Sequence, residues 1–309
     1  MLPAAYSLLR RRLSGAAVAI LLATCGLAAC SSGSPSGAHG GQLRIVAAEN
    51  FWGSIAEQVG GADVTVTSII DNPAADPHDY EPTPADARSV AAADLVIVNG
   101  VGYDGWVGKL LAASPRPVIT IGTLVGAKAG DNPHRWYDPA NVRTFIAALT
   151  SELAKLSPGH SAAFERGRAA FEAQGLKEYD NLIAAIKQTY AGTRVGASES
   201  IVSMLAPSLG LDLITPPTFL RAISEGTDVS AADKTTIDRQ IARKQIAIYV
   251  YNTQNATPDV QAQLAACRAK GIPTATITET LTPASATFQQ WQVAQLQGIQ
   301  AALAKASGP

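Results

Sequence analysis

Short β-branched runs alternate with helix-period stretches along most of this chain, and they do so in two series. The first comprises LRIVAA (43–48), a helix around 51–59, DVTVTSII (63–70), a helix beginning near Thr83, LVIVNG (95–100), a helix at 104–113 and PVITIG (117–122). The second starts at RVGAS (194–198) and continues through LDLITP (211–216), IAIYVYN (246–252) and TATIT (274–278). Continuous apolar runs separated by helices mark parallel sheets covered on both faces, because both sides of the pleat then need apolar side chains. The expected class is therefore α/β, with two Rossmann-like lobes of about four parallel strands each.

Between the two series lies a long stretch with few breakers, SAAFERGRAAFEAQGLKEYDNLIAAIKQTY (161–190). Phe164, Phe171, Leu176, Tyr179, Leu182, Ile183 and Ile186 recur there at helical spacing. A helix of that span would run about 45 Å, longer than one small domain needs. It reads as one long backbone helix joining the lobes, weakened at Gly167 and Gly175. The expected divisions are a first lobe over 42–157, the linking helix over 158–191 and a second lobe over 192–309.

The N-terminus bears on compartment. Arg10, Arg11 and Arg12 precede LSGAAVAILLATCGLAA (13–29), almost wholly apolar and closed by Leu27-Ala28-Ala29-Cys30. The run is short of the ~20 apolar residues of a spanning helix and has the layout of an export signal over 1–29. Small residues directly before Cys30 resemble a bacterial lipobox, which implies cleavage there and a lipid on the Cys30 sulfur; the alternative is an ordinary secretory peptide. Residues 31–41, SSGSPSGAHGG, hold no apolar side chain larger than Ala. They suit a flexible tether over 30–41, with His39 solvated. Of three cysteines only Cys267 then remains, so no disulfide is expected within the fold; its helical spacing to Leu264 suggests a core thiol. A formal net charge of −1, with those three arginines counted, gives no basic patch for nucleic acid.

The chain holds four histidines, and two of them each follow a proline: His78 in DPHDYEP (76–82) and His134 in NPHRWYDP (132–139). Thr83-Pro84-Ala85-Asp86 supplies a capping threonine, a proline at the first helical position and an acid at the third, and Asp138-Pro139 does the same service after His134. These devices start helices, and they also fix backbone around a ring nitrogen. His160, in LSPGH, has no such setting and reads as a surface residue. In open α/β sheets ligands sit beyond the carboxyl ends of strands. Glu199 follows RVGA there and Glu279 follows TATIT. Either acid alone suits a helix N-terminus. Together with the histidines they place one donor at each of four strand-to-helix junctions, two per lobe.

In order along the chain, DPHDYEPTPAD, NPHRWYDP, GASES with GL at 210–211, and ITETL resemble the four metal-ligand segments of the zinc/manganese solute-binding lipoproteins of bacterial ABC transporters, the cluster A-I receptors. The likeness covers most of the chain after the tether. It implies His78 and His134 as first-lobe ligands, Glu199 as the third, where many zinc receptors carry His and many manganese receptors Glu, and Glu279 at a position usually Asp. YVYNTQNATP (249–258) departs from the commoner pattern; Asn252 and Gln254 fit either donors behind the ligands or ordinary loop residues.

Two imidazoles and two carboxylates without thiolate suit Mn²⁺, Zn²⁺ or Fe²⁺, whereas Ca²⁺ and Mg²⁺ prefer all-oxygen shells. Glu199 and the absence of histidine from GTLVGAKAGDN (122–132) tilt the reading toward manganese, although intrinsic affinity favours zinc. The resemblance implies extracytoplasmic capture of one divalent ion between the lobes by a lipid-anchored monomer, with a membrane permease and its ATPase as partners and no catalysis. Three rivals stand beside it. A zinc metallohydrolase would keep an exchangeable position and a general base. A siderophore or corrinoid receptor would want the aromatic and cationic walls that Trp106, Trp136 and Arg135 permit. An adhesin would use its metal structurally.

Overall fold

The computed structural model describes residues 41–73 and 80–308. His78, His39 and Cys30 lie outside the described residues, with the expected signal and all of the tether before Gly41. The first series forms β1 (Leu43–Glu49), α1 (Asn50–Gly60), β2 (Val64–Ile70), α2 (Pro84–Ala92), β3 (Leu95–Val98), α3 (Trp106–Ala113), β4 (Val118–Thr120) and the short α4 (Ile121–Leu124). After α5 (Pro139–Leu156) come α6 (Ser161–Ala170), a π-turn at Phe171–Gly175 and α7 (Lys177–Tyr190). The second series then gives β5 (Arg194–Ala197), α8 (Ile201–Leu209), β6 (Asp212–Leu213), α9 (Pro217–Ser224), α10 (Ala231–Ala242), β7 (Tyr249–Asn252), α11 (Pro258–Lys270), β8 (Thr274–Ile277) and α12 (Phe288–Ser307).

Both sheets are four-stranded and parallel, ordered β2-β1-β3-β4 and β6-β5-β7-β8. Alternation along β1 shows why its run is apolar apart from the exposed Arg44 and the terminal Glu49. Leu43, Ile45 and Ala47 join the large core under α1 and α5, while Val46 and Ala48 face a second cluster with Val90 of α2 and Val107 of α3. The caps form as the sequence requires. Thr83 and Asp86 make a reciprocal capping box on α2, and the Asp138 side chain accepts from the Ala140 amide at the start of α5.

The linking helix is interrupted by the π-turn at Phe171–Gly175, and its two glycines serve close packing. A Cβ on Gly167 would sit 2.2 Å from the Val59 carbonyl oxygen, so glycine lets α6 lie directly on α1. A Cβ on Gly175 would meet Cδ2 of Phe171 at 2.8 Å, and its absence lets that buried ring fold against the π-turn. The long α12 also ties the lobes together. From the end of the chain it returns to α1, where the Phe288 amide donates to Ser54 Oγ (3.0 Å) and Gln58 donates to Gln289 Oε1 (3.0 Å). Among the described residues, no helix is long and apolar enough to cross a membrane.

Candidate metal centre

His134 is fully buried and leads from Pro133 into a single 3-10 turn, Arg135–Tyr137. Aromatic packing fixes that turn: the Trp136 ring stacks on Phe51 with centroids 4.0 Å apart and meets the His134 ring edge-on at 5.3 Å. The tautomer follows from Asn132. Its amide nitrogen donates to the Ser200 carbonyl (2.6 Å), so its oxygen is the atom that receives His134 Nδ1 (2.8 Å) and the His134 amide (3.0 Å). An acceptor at Nδ1 puts the proton there and the lone pair of the neutral ring on Nε2, the arrangement metal-ligating histidines use. That Nε2 lies 3.8 Å from Glu279 Oε2, across the lobes.

Glu199 and Glu279 are both buried, one at the end of β5 and one at the end of β8. Asn252, the last residue of the intervening β7, joins them: its Nδ2 donates to Glu199 Oε2 (3.0 Å) and to Glu279 Oε1 (2.8 Å). The amide cannot be reversed, because its oxygen accepts the Gln254 backbone amide at 2.9 Å. Glu279 Oε2 accepts a hydrogen bond from the Tyr103 hydroxyl of the first lobe (2.9 Å). Gln254 receives the Glu279 amide on its Oε1 and donates through Nε2 to the carbonyl of Pro73 (2.8 Å), on the segment that leads toward His78. Of Asn252 and Gln254, each with two roles open from sequence, Asn252 stands behind the acids as a donor, whereas Gln254 accepts the Glu279 backbone amide and positions that residue.

The structure thus brings His134 Nε2 near Glu279 Oε2 and joins Glu279 to Glu199 through Asn252, with His78 outside the described residues. Among the described residues, no three His, Cys, Asp or Glu side chains close into a ready ligand group, since an amide stands between the two acids. A cleft of about 460 Å³ opens beside His134, lined by residues of both lobes including Tyr103, Asn132, Ser200, Ser224 and Arg221. Trp136 does not line it; that indole is wholly buried in the core, which removes one wall a large chelate would need. Away from the site, His160 is partly exposed near Asp63 at 3.6 Å, and Cys267 is a buried thiol whose pKa burial raises to about 11.

A further buried acid escaped the sequence reading. Glu49, last residue of β1, has no exposure, and burial followed by the neighbouring charge of Asp104 holds its pKa well above the usual carboxylate range. Asp104 accepts the backbone amides of Asn99 (2.6 Å) and Gly100 (2.8 Å), which favour its charged form more than that of Glu49. Tyr103 and Asn132 were missed too. Asn132 adjoins Pro133-His134 and was legible as a neighbour of the motif, whereas nothing in NGVGYDGW marks Tyr103.

A family model described as zinc-uptake complex component A periplasmic (ZnuA) matches residues 45–302. The chain is 30% identical over 148 residues to the iron-binding protein YfeA of Yersinia pestis, covering 45% of this chain and 47% of that protein. It is 28% identical over 172 residues to the manganese-binding lipoprotein MntA of Halalkalibacterium halodurans, covering 54% and 55%. The chain thus spans about half the length of these curated relatives. FpvC of Pseudomonas aeruginosa, solved in complex with Ni²⁺, has a similar fold with a TM-score of 0.69 and 22% identity over 87% of this chain and 98% of that one.

Proposed function

The chain belongs to the zinc-uptake complex component A family, and from that premise we propose that it captures a divalent transition metal ion between its lobes and hands it to an ABC transporter permease. The observation that carries the reading is the 3.8 Å approach of His134 Nε2 to Glu279 Oε2 across the lobes, with Asn252 linking Glu279 to Glu199. His134 supplies a nitrogen lone pair, Glu199 and Glu279 supply anionic oxygens, and His78 is proposed as the fourth ligand. The ion is cargo: Mn²⁺, Zn²⁺ and Fe²⁺ all suit this donor set, and the relatives are named for iron and manganese.

The proposal extends to location and partners. A lipid on Cys30 would hold the protein, as a monomer, at the outer face of the bacterial membrane, beside a permease and its ATPase. No turnover is expected, because four protein ligands leave no exchangeable position for a catalytic water.

The test is native mass spectrometry with elemental analysis of the folded chain, wild type against His134→Ala and Glu199→Ala. One tightly held ion in the wild type, lost in both variants, supports capture. An ion retained in both would place binding elsewhere, and metal-dependent hydrolysis by the wild type would revive the metallohydrolase.

A further inference from the structure

We infer that Asn252 is the residue that sets which ions this site accepts, by holding both acids to single-oxygen coordination and so favouring a small ion of low coordination number, Zn²⁺, over Mn²⁺. The inference rests on the proposed capture of a divalent ion by Glu199, Glu279 and His134.

Asn252 Nδ2 carries two hydrogens, and the two carboxylates take one each, at 3.0 Å and 2.8 Å. The side chain has no exposure, its oxygen is engaged by the Gln254 amide, and its own backbone amide donates to Ser198 Oγ at 3.1 Å. It therefore has nowhere to turn. A cation chelated by both oxygens of either glutamate would lie close to an N–H proton that points at one of those oxygens, and the two positive charges repel. On Glu199 the ion is thereby directed to Oε1, the oxygen that does not receive the amide, and on Glu279, where Oε1 takes the amide and Oε2 the Tyr103 hydroxyl, a chelated ion would meet a proton at either oxygen. On Glu279 the Tyr103 hydroxyl approaches Oε2 at 2.9 Å and holds that carboxylate's rotation from the opposite lobe.

Coordination number then decides between metals. Single carboxylate oxygens keep the coordination number low, toward the four-coordinate geometry that Zn²⁺ adopts. Mn²⁺ wants more oxygen donors, and bidentate carboxylates are the readiest way to supply them. The identity of the third ligand suggested manganese from sequence; the amide that restrains the ligand argues for zinc.

The test compares wild type with Asn252→Ala, using competition titrations of Zn²⁺ and Mn²⁺ against a chromophoric chelator and the visible spectrum of the Co²⁺-loaded protein. Wild type should give the intense bands of tetrahedral Co²⁺. Asn252→Ala should lower the Zn²⁺-over-Mn²⁺ affinity ratio by about tenfold or more and weaken those bands as coordination number rises. Tyr103→Phe, which releases only the Glu279 restraint, should move both readouts the same way by less, and it carries the test if Asn252→Ala fails to fold. Equal loss of both affinities with an unchanged Co²⁺ spectrum would make Asn252 merely structural and overturn the inference while leaving ion capture intact. A wild type whose Co²⁺ spectrum is weak and six-coordinate would overturn it as well. A wild type that holds no divalent ion would overturn both readings.

Discussion

The two lobes repeat one plan and use it differently. In each sheet the first strand runs to a buried glutamate, Glu49 directly at the end of β1 and Glu199 two residues past β5, and the third strand runs to a buried asparagine, Asn99 after β3 and Asn252 at the end of β7. In the second lobe the asparagine donates to Glu199 and Glu279, and both acids stay near the lobe interface. In the first lobe Asn99 donates instead to the carbonyl of Pro133 (2.9 Å), bracing the residue before His134, and Glu49 neighbours Asp104 with its pKa raised by burial. Burying two carboxylates in low dielectric requires compensation. In one lobe burial favours the neutral form of Glu49; in the other a neutral amide bridges the two acids, the arrangement the proposed capture of a cation would use.

That contrast is broken most severely by exchanging which pair matters. Glu199→Gln or Glu279→Gln should cut metal affinity more than about 100-fold, since loss of a residue behind a ligand already costs 10–100-fold, whereas Glu49→Gln should leave it within about threefold by the same measure. Equal losses would mean that the first-lobe pair also binds the ion. A pH titration probes the same division. Ligation needs neutral imidazole, so affinity should fall as pH drops from about 7 to about 5, and a flat profile would argue against histidine ligands. Asn132→Ala is expected to cost about tenfold in affinity by releasing the His134 tautomer, with unfolding temperature as the control for general damage.

Legibility in the sequence followed the same line between pattern and partner. Strand β3 was plain because every position is apolar, and β1 nearly so, but the expected run 211–216 shrank to Asp212–Leu213, since the edge of a sheet needs little chain and Pro216 begins the turn into α9. Likewise 246–252 gave only Tyr249–Asn252, although Ile246 and Ile248 are buried just before it. Glu199 and Glu279 were found by their place at strand ends. Glu49 obeyed the same rule and was passed over, because no quoted motif surrounds it. Tyr103 and the direction of the Asn252 amide depend on what the opposite lobe or a neighbouring loop presents, and no local pattern encodes that.

The smallest expected effect is also the one that isolates the first-lobe pair. Because burial raises the Glu49 pKa in the folded protein, folded chains keep a proton that unfolded chains release above about pH 4.3. Wild-type stability from this group is then complete below that pH and is lost as pH rises toward the elevated folded value. Glutamine keeps a donor toward Asp104 and never ionises, so Glu49→Gln removes the penalty. At pH 7 the metal-free variant should melt about 2–4 °C above wild type, the shift that ~1 kcal/mol gives a large domain, and the two curves should converge near pH 4. Thermal scans across that range decide it: a gain independent of pH would mean the substitution improves packing instead, and the proton assigned to Glu49 would have to be withdrawn.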